Sequence, residues 1–190
     1  MRIAITGGPC DGKSTVLFFL KELGFPGISA DEIVSSLYED PDFQRKLKEE
    51  FGEEAVRGGK VNKTWLREMA FSDANFRRRL NACMHPLVLN RMFSWGENAE
   101  GTCFFEIPLL IETVTHPYFD EVWVLDSGEE NRMKRLTARF QGDEHMARKV
   151  MEAQLPTEVK RVFADRIVRT DFPIHTVKLL IEKIVSDIDF

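Results

Sequence analysis

The stretch ITGGPCDGKSTV, residues 5–16, contains the pattern that decides the fold. Its glycine, four variable residues, glycine, lysine and serine follow one another as they do in a phosphate-binding loop. The apolar residues before Gly7 predict a buried strand, and the apolar residues after Lys13 have helical spacing. Because the loop joins a strand to a helix, its backbone N–H groups and the helix N-terminus would point toward one anion. The stretch therefore predicts binding of a nucleotide polyphosphate.

The residue types in this loop indicate what each position contributes. Lys13 can reach the terminal phosphates, and the Ser14 hydroxyl can ligate Mg²⁺. Backbone N–H donors do most of the binding, so Cys10 is compatible with the loop where its dihedrals suit a non-glycine residue. Asp11 places a carboxylate near the polyphosphate, which weakens binding unless a cation or an arginine neutralises it. The expected nucleotide contacts are Gly8, Cys10, Asp11, Gly12, Lys13, Ser14 and Thr15.

Hydrophobic periodicity predicts an α/β fold around this loop. Strands that alternate with helices indicate a parallel sheet covered on both faces. The last predicted helix carries Val177, Leu180, Ile181, Ile184 and Ile188 on one face. The predicted strands cover residues 2–6, 25–30, 102–107, 121–125 and 166–168.

The segment 31–101 has a different character. It is charged and helical in pattern, no strand is predicted in it, and its helices are expected to break at Pro41, at residues 58–59 and at Pro86. Proline lacks an N–H group and restricts the residue before it, so we expect a kink or a break at Pro86 and non-helical geometry at His85. A helical insertion of this kind cannot belong to the sheet and is the expected specificity element.

Composition limits the classes of partner. The 190 residues are 43% hydrophobic and 30% charged, with a formal net charge of −5, so no general attraction to nucleic acid or anionic membranes is expected. No apolar run approaches the roughly 20 residues that span a bilayer, and the residues before the glycine pair at 7–8 are too few for a signal peptide. Three widely spaced cysteines fit a reducing compartment. We therefore expect a cytoplasmic protein that binds neither nucleic acid nor membranes.

Polar residues at the predicted strand ends are candidates for the chemistry, because ligands of open α/β sheets gather there. Asp31 follows the second strand, where it would accept a proton from a hydroxyl or hold Mg²⁺ through water, unless it is a helix N-cap. Glu106 ends a buried strand, where it would approach a metal, unless it is an edge residue in a surface ion pair. His85 is open to a structural or a catalytic role.

A basic stretch follows the strand predicted at residues 121–125. It is either a solvated helical face or a mobile segment that closes over the transferring phosphoryl group, for which a guanidinium is well suited. Arg139 is the best single candidate for that second role. The stretch contains Arg132, Lys134, Arg135, Arg139, Arg148 and Lys149.

Together these segments resemble the dephospho-coenzyme A kinases over nearly the whole chain. The phosphate-binding loop is shared by many families, whereas the Phe-Ser-Asp, His-Pro and Pro-Leu-Leu segments in this order are much more specific. The matching segments are residues 6–8, 12–15, 30–32, 66–73, 85–87, 107–112, 122–124 and 153–156.

The resemblance implies ATP-dependent phosphorylation of the ribose 3′-hydroxyl of dephospho-CoA, the final step of coenzyme A biosynthesis, with Mg²⁺ as the metal. It also implies a P-loop NTPase-type parallel sheet flanked by helices, with a helical substrate-domain insertion and a small lid. The implied parts are a nucleotide core at 1–30, 102–133 and 156–190, a CoA-binding domain at 31–101 and a lid at 134–155.

The resemblance also implies roles for individual residues. Asp31 becomes the base or the hydroxyl-orienting group, Arg139 becomes the lid arginine, and Lys13 completes the catalytic set. Ser14 and Glu106 become the metal ligands. The residues implied on the substrate side are Asp31, Arg67, His85, Pro108 and Leu109.

Some residues depart from the family pattern. Residues 9–11, Pro-Cys-Asp, replace the usual Ile-Gly-Ser, and Glu106 replaces the usual aspartate with a longer side chain. Phe140 replaces the acid that normally follows the lid arginine, and residues 169–171 replace a turn that usually contains asparagine near the base pocket. None of these departures removes a group that phosphoryl transfer requires.

Other functions also fit the loop. A kinase for another small molecule or for a nucleoside monophosphate would share the same core, and only an acceptor screen separates it. A non-catalytic nucleotide sensor would bind ATP without transferring its phosphate. A translation-type GTPase is disfavoured because the sequence has no Asn-Lys-x-Asp signature.

Overall fold

The computed structural model describes residues 1–186 and residue 188. The chain divides into two compact units. One unit consists of Met1–Ser29 and of the chain from Asn98 onward, and the other is Ala30–Glu97.

The strands, in chain order, are β1 (Arg2–Gly7), β2 (Gly27–Ser29), β3 (Val56–Arg57), β4 (Lys60–Val61), β5 (Cys103–Glu106), β6 (Glu121–Asp126) and β7 (Arg166–Arg169). The helices are α1 (Lys13–Glu22), α2 (Ala30–Glu39), α3 (Pro41–Phe51), α4 (Lys63–Ser72), α5 (Ala74–Glu97), α6 (Glu129–Arg139), α7 (Glu144–Glu152), α8 (Thr157–Arg161) and α9 (Ile174–Val185). Short 3-10 turns lie at Glu53–Ala55 and His116–Tyr118.

The first unit is built on a five-stranded parallel sheet with the strand order β2-β5-β1-β6-β7. On one face, Phe104 and Trp123 pack in a core cluster with side chains of α1 and α9. On the other face, Phe105 and Val124 are fully buried. Strands that are apolar on both faces are typical of parallel sheets with both faces covered. The predicted α/β sheet is therefore confirmed.

Three strand ends meet near the phosphate-binding loop. Because their strands are parallel, Gly7 of β1, Glu106 of β5 and Asp126 of β6 lie at the same edge of the sheet. Residues 8–12 leave this edge and lead into α1, which begins at Lys13. The fold thus places polar groups from separate parts of the sequence around one loop.

The second unit contains α2, α3, α4 and α5 together with an antiparallel hairpin of β3 and β4. The prediction that residues 31–101 contain no strand is wrong at this hairpin, where Val56 pairs with Val61. Gly58 and Gly59 have φ angles of 57° and 73°, the positive values that a tight hairpin turn needs. Two-residue strands are too short to show the alternating pattern by which strands are recognised.

Helix α5 continues through Pro86, so the predicted break at this residue is wrong and His85 is helical. An interior proline costs a helix about 3 kcal/mol because one backbone hydrogen bond is lost and the ring meets the preceding turn. Cys83, Met84 and Val88 are buried on either side of Pro86. Their packing holds both halves of the helix against the rest of the unit and outweighs that cost.

Three smaller expectations are corrected by the structure. Asp31 lies inside the first turn of α2, which begins at Ala30, so Asp31 is not the N-cap, although a carboxylate there interacts favourably with the helix dipole. Glu106 does not belong to an edge strand, because β5 lies between β2 and β1 in the strand order. Helix α9 ends at Val185, so Ile188 lies beyond the helix while still packing against the core cluster.

Cys10, Cys83 and Cys103 are free thiols. Within the part of the chain that the structure describes, every helix is too short or too polar to cross a membrane.

Candidate active site

The backbone of the phosphate-binding loop uses left-handed conformations. Gly12 has a φ of 82° at the N-terminus of α1, and Cys10 has a φ of 62°. A side chain in this region costs about 1–2 kcal/mol, so Cys10 occupies a position that favours glycine. Arg135 donates from Nη1 to the Cys10 carbonyl at 3.1 Å, which helps to hold the strained residue in place.

The carboxylate of Asp11 is fully buried and points into the protein. Its Oδ2 accepts a hydrogen bond from the Gly8 N–H at 2.7 Å, within the loop itself. Its Oδ1 accepts from the N–H and the hydroxyl of Ser127 at 3.2 and 2.7 Å. Hydrogen bonds to a carboxylate are shorter and stronger than those between neutral groups. Asp11 therefore joins both ends of its own loop to the segment that follows β6.

Arg132 neutralises this buried carboxylate. Its Nε donates to Asp11 Oδ1 at 3.1 Å, and both side chains are almost completely shielded from solvent. The guanidinium also lies close to Gly8, where an added Cβ would come within 2.8 Å of Nε. The sequence allowed a cation or an arginine to neutralise Asp11, and the structure provides an arginine, Arg132 of α6.

The turn after β7 contacts the other side of the loop. The Thr170 hydroxyl donates to the Asp11 carbonyl at 2.8 Å. Arg135 donates from Nη2 to the Thr170 carbonyl at 2.8 Å while its Nη1 holds Cys10. Arg135 therefore ties the turn at residues 169–171, a departure from the family pattern, to the phosphate-binding loop.

Lys13 is folded back over the loop. Its Nζ donates to the Gly8 carbonyl at 2.7 Å and to the Gly7 carbonyl at 3.3 Å. Burial lowers the pKa of this ammonium group, and the nearby charge of Lys160 lowers it further, while Asp11 and Glu106 act in the opposite direction. A bound polyphosphate would add negative charge beside this buried cation and so offset the effect of its burial.

Ser14 and Glu106 are brought together, as expected for a shared metal site. The Ser14 hydroxyl donates to Glu106 Oε1 at 2.9 Å. Ser14 is exposed at the start of α1, whereas Glu106 is only 5% exposed at the end of β5. A hydroxyl and a carboxylate are oxygen donors of the kind that Mg²⁺ prefers, so this donor set fits the metal.

The basic stretch does not behave as one group. Arg132 is buried and Arg135 is half-buried, and both contact the loop. Lys134, Arg139 and Arg148 are exposed on α6 and α7, as a solvated face or an open lid would be. Neither interpretation of the sequence therefore covers the whole stretch.

The predicted acceptor residues lie in both units. Pro108 and Leu109 follow β5 in the first unit, at the edge of the sheet where the loop lies. Asp31, Arg67 and His85 belong to the second unit. Asp31 and Arg67 are exposed on α2 and α4, and partial burial lowers the pKa of the His85 imidazole, which favours its neutral form.

Sequence reasoning missed several residues beside the loop. Ser127 directly follows a strand, so the strand-end argument that singled out Glu106 applied to it equally. Lys160 is fully buried and donates to the Gly7 carbonyl at 3.3 Å. No pattern in the sequence marks Lys160, because lysines in short helices are normally solvated.

A parallel sheet whose central strand leads into this loop, with a lysine and a serine at the start of the next helix, defines a P-loop nucleotide-binding protein. The family model described as dephospho-CoA kinase matches residues 1–175. The chain therefore belongs to the dephospho-CoA kinase family and is a kinase.

Individual relatives agree with this assignment. The dephospho-CoA kinase of Hydrogenovibrio crunogenus is 30% identical over 186 residues, which cover 95% of this chain and 94% of the relative. The crystal structure of TT1252 from Thermus thermophilus has a TM-score of 0.86 at 27% identity and covers 100% of this chain and 98% of its own. Dephospho-CoA kinase from Campylobacter jejuni shares the fold, with a TM-score of 0.66 at 22% identity over 98% of this chain and 96% of its own.

The Asp11–Arg132 pair gives a prediction about stability. Replacing Arg132 with Met leaves a buried carboxylate without its cation, so we expect the free energy of unfolding to fall by roughly 3 kcal/mol. Arg132 also lies 3.5 Å from Asp126, which keeps Arg161 as a partner. The double variant Asp11→Asn with Arg132→Met removes the charge of Asp11 as well and should recover most of that loss. Urea unfolding of both variants, beside Lys134→Met on the exposed face of α6, measures the effect. Equal stability of the single and double variants would contradict the pairing.

Lys13 gives a prediction about pH. Because its pKa is lowered in the free protein, Lys13 loses its proton at a lower pH than an ordinary lysine, and the polyphosphate favours the protonated form. ATP affinity should therefore fall, and protons should be taken up on binding, as pH rises through the lowered pKa. Lys13→Arg keeps its charge and should lack this decline.

Titration calorimetry in buffers of different ionisation enthalpy measures both the affinity and the proton uptake. A flat affinity of the wild-type protein up to the ordinary lysine pKa would show that Lys13 does not titrate early. The same slope in Lys13→Arg would assign the decline to another group.

Proposed function

We propose that this protein transfers the γ-phosphoryl group of ATP to the ribose 3′-hydroxyl of dephospho-CoA, giving CoA and ADP. The observation that carries the proposal is the family match over residues 1–175, which includes the phosphate-binding loop, all of the second compact unit and most of the first. The same match favours dephospho-CoA over other small acceptors and over a role as a nucleotide sensor. Three free thiols and an acidic net charge are compatible with the expected cytoplasmic location.

The loop would hold the triphosphate. Backbone N–H groups of the loop and the N-terminus of α1 would supply a positive field for the phosphates. Pro9 has no N–H, and the Gly8 N–H already donates to Asp11. The loop shape is held by Asp11 from within, so binding costs little reorganisation. Lys13 would exchange its bonds to the Gly7 and Gly8 carbonyls for the terminal phosphates, which is a small movement of one flexible side chain.

Ser14 and Glu106 would hold Mg²⁺, Ser14 directly and Glu106 directly or through water. The metal supplies charge neutralisation for the β- and γ-phosphates when it is bound. The hydrogen bond from the Ser14 hydroxyl to Glu106 holds the two oxygens 2.9 Å apart, close enough to bind one ion. The longer Glu106, in place of the usual aspartate, reaches Ser14 at 2.9 Å and so satisfies this arrangement.

On the acceptor side, Asp31 would orient or deprotonate the ribose hydroxyl, and exposed Arg139 would close over the transferring phosphoryl group. Arg67, His85, Pro108 and Leu109 would bind the remainder of dephospho-CoA. A neutral His85 suits this role, since it can donate and accept hydrogen bonds without adding charge. Positioning and electrostatic stabilisation together account for most of the catalysis in phosphoryl transfer.

An acceptor screen tests the proposed reaction. We expect ADP release from Mg-ATP to depend on dephospho-CoA and to be absent with shikimate, gluconate or AMP as the acceptor. The variant Lys13→Ala, which removes the lysine of the phosphate-binding loop, is the matched control and should lose both ATP binding and phosphoryl transfer. Equal release with another acceptor would contradict the substrate, and tight ATP binding without any transfer would indicate a sensor.

Asp31 has its own test. Asp31→Asn keeps the size of the side chain but removes its ability to take a proton, so we expect turnover to fall by about 100-fold or more. The Kd for ATP should change by less than about threefold, because the phosphate contacts lie elsewhere. Steady-state kinetics and ATP titration of Asp31→Asn, with Glu32→Gln as the control on the same helical turn, separate the two effects. Unchanged turnover would remove Asp31 from the mechanism.

A further inference from the structure

Lys160 in α8 is a lysine with no exposed surface. Its Nζ lies 2.9 Å from Glu112 Oε1, 3.0 Å from the Pro108 carbonyl, 3.3 Å from the Gly7 carbonyl and 3.4 Å from Gln154 Oε1. An ammonium group has three protons, so these four acceptors saturate it. All three ammonium protons of Lys160 are therefore used in contacts within the protein, and none is left to bind a ligand.

The acceptors of Lys160 come from separate parts of the site. Gly7 ends β1 and begins the phosphate-binding loop, and Pro108 begins the segment that is expected to contact the acceptor. Gln154 lies at the end of the predicted lid, 134–155. The backbone N–H of Leu155 also donates to Glu112 Oε1 at 3.0 Å, so the same carboxylate fixes the lid base. One cation thus joins three segments that phosphoryl transfer must bring into register.

Stability alone is a weak reason for this arrangement. Burying a lysine and a carboxylate costs most of what their attraction gains, and apolar residues of similar size often do as well. The second oxygen of Glu112, Oε2, is buried without a hydrogen-bond partner among the described residues. Burying Lys160 with Glu112 is therefore costly. In return, the pair fixes the distances between the three segments that Lys160 contacts.

We propose that Lys160, paired with Glu112, is a positioning residue that holds the phosphate-binding loop, the segment 107–112 and the lid base in one register for transfer to the acceptor. This inference rests on the proposed function, because the acceptor and lid roles of those segments belong to it. Lys160 acts through these segments and does not contact the phosphates.

Loss of this register has a specific chemical consequence. When the acceptor hydroxyl is misplaced, water takes its position at the γ-phosphorus. The water oxygen forms a bond to phosphorus, the bond from phosphorus to the β–γ bridging oxygen breaks, and ADP, phosphate and a proton are released. ATP binding is retained, because the loop keeps its shape through the bonds of Asp11 to Gly8, Ser127 and Arg132. Uncoupled ATP hydrolysis is therefore the signature that distinguishes a positioning role from a structural one.

The test compares Lys160→Met with wild type in the presence of Mg-ATP and dephospho-CoA. We expect turnover to CoA to fall by about 10- to 100-fold, the effect of a misplacement of roughly 1 Å, with the KM for ATP changed by less than about threefold. The ratio of ADP released to CoA formed should rise from one in wild type to well above one. Lys160→Arg, which keeps a buried cation, should recover part of the coupling, and exposed Lys183→Met should behave as wild type.

Folding is controlled by a second variant. Lys160→Met leaves Glu112 buried without its cation, so Lys160→Met with Glu112→Gln provides a neutral pair that should unfold at nearly the wild-type urea concentration. We expect this folded double variant to remain uncoupled. A ratio of one in a folded variant, or a loss of turnover that only follows the folded fraction, would overturn the positioning role. Wild type that fails to phosphorylate dephospho-CoA would instead overturn the proposed function.

Discussion

The buried carboxylate of Asp11 determines the shape of the phosphate-binding loop, and the rest of the site is arranged around it. It accepts hydrogen bonds from Gly8 within the loop and from Ser127 beyond β6, and it pairs with Arg132 of α6. A carboxylate that faced the polyphosphate would repel it. The carboxylate of Asp11 instead points into the protein, where it is neutralised and stabilises the loop conformation. The acidic residue in the loop is therefore compatible with ATP binding because Arg132 is present.

The second constraint is the balance of charge around the Gly7 carbonyl. Lys13 and Lys160 both donate to this one oxygen at 3.3 Å. Lys13 is free to leave, since its other acceptor is also a loop carbonyl, whereas Lys160 is held by Glu112 and Pro108. The repulsion between the two ammonium groups lowers the pKa of Lys13 in addition to the effect of burial. In the proposed function, Lys13 is the cation that moves to the phosphates, and Lys160 is the cation that stays with the scaffold.

The sequence predicted the parts of the molecule that depend on local patterns. The apolar strand ending at Gly7 and the GxxxxGKS spacing identified the loop, and the strand-end argument found Glu106 beside Ser14. The hairpin of β3 and β4 was missed because two-residue strands carry no periodicity. The break expected at Pro86 did not occur because packing on both sides of it outweighs the local preference.

The buried ion pairs of Asp11 with Arg132 and of Glu112 with Lys160 could not be predicted from the sequence, for a different reason. Arg132 lies 121 residues from Asp11 in the sequence, and nothing in a basic stretch shows which member turns inward. Lys160 resembles any solvated lysine until α8 is placed against the end of β1. Such pairings depend on the tertiary arrangement of the parallel strands and the helices that cover them, which a single sequence does not specify.

The most direct test of the central claim is the identity of the product. Mg-ATP and dephospho-CoA are incubated with the wild-type protein, and tandem mass spectrometry locates any added phosphate. We expect a single phosphate on the ribose 3′-oxygen and one ADP for each CoA formed. ADP released while dephospho-CoA remains unmodified, or a phosphate found at another position, would show that the fold is that of the family and the chemistry is not.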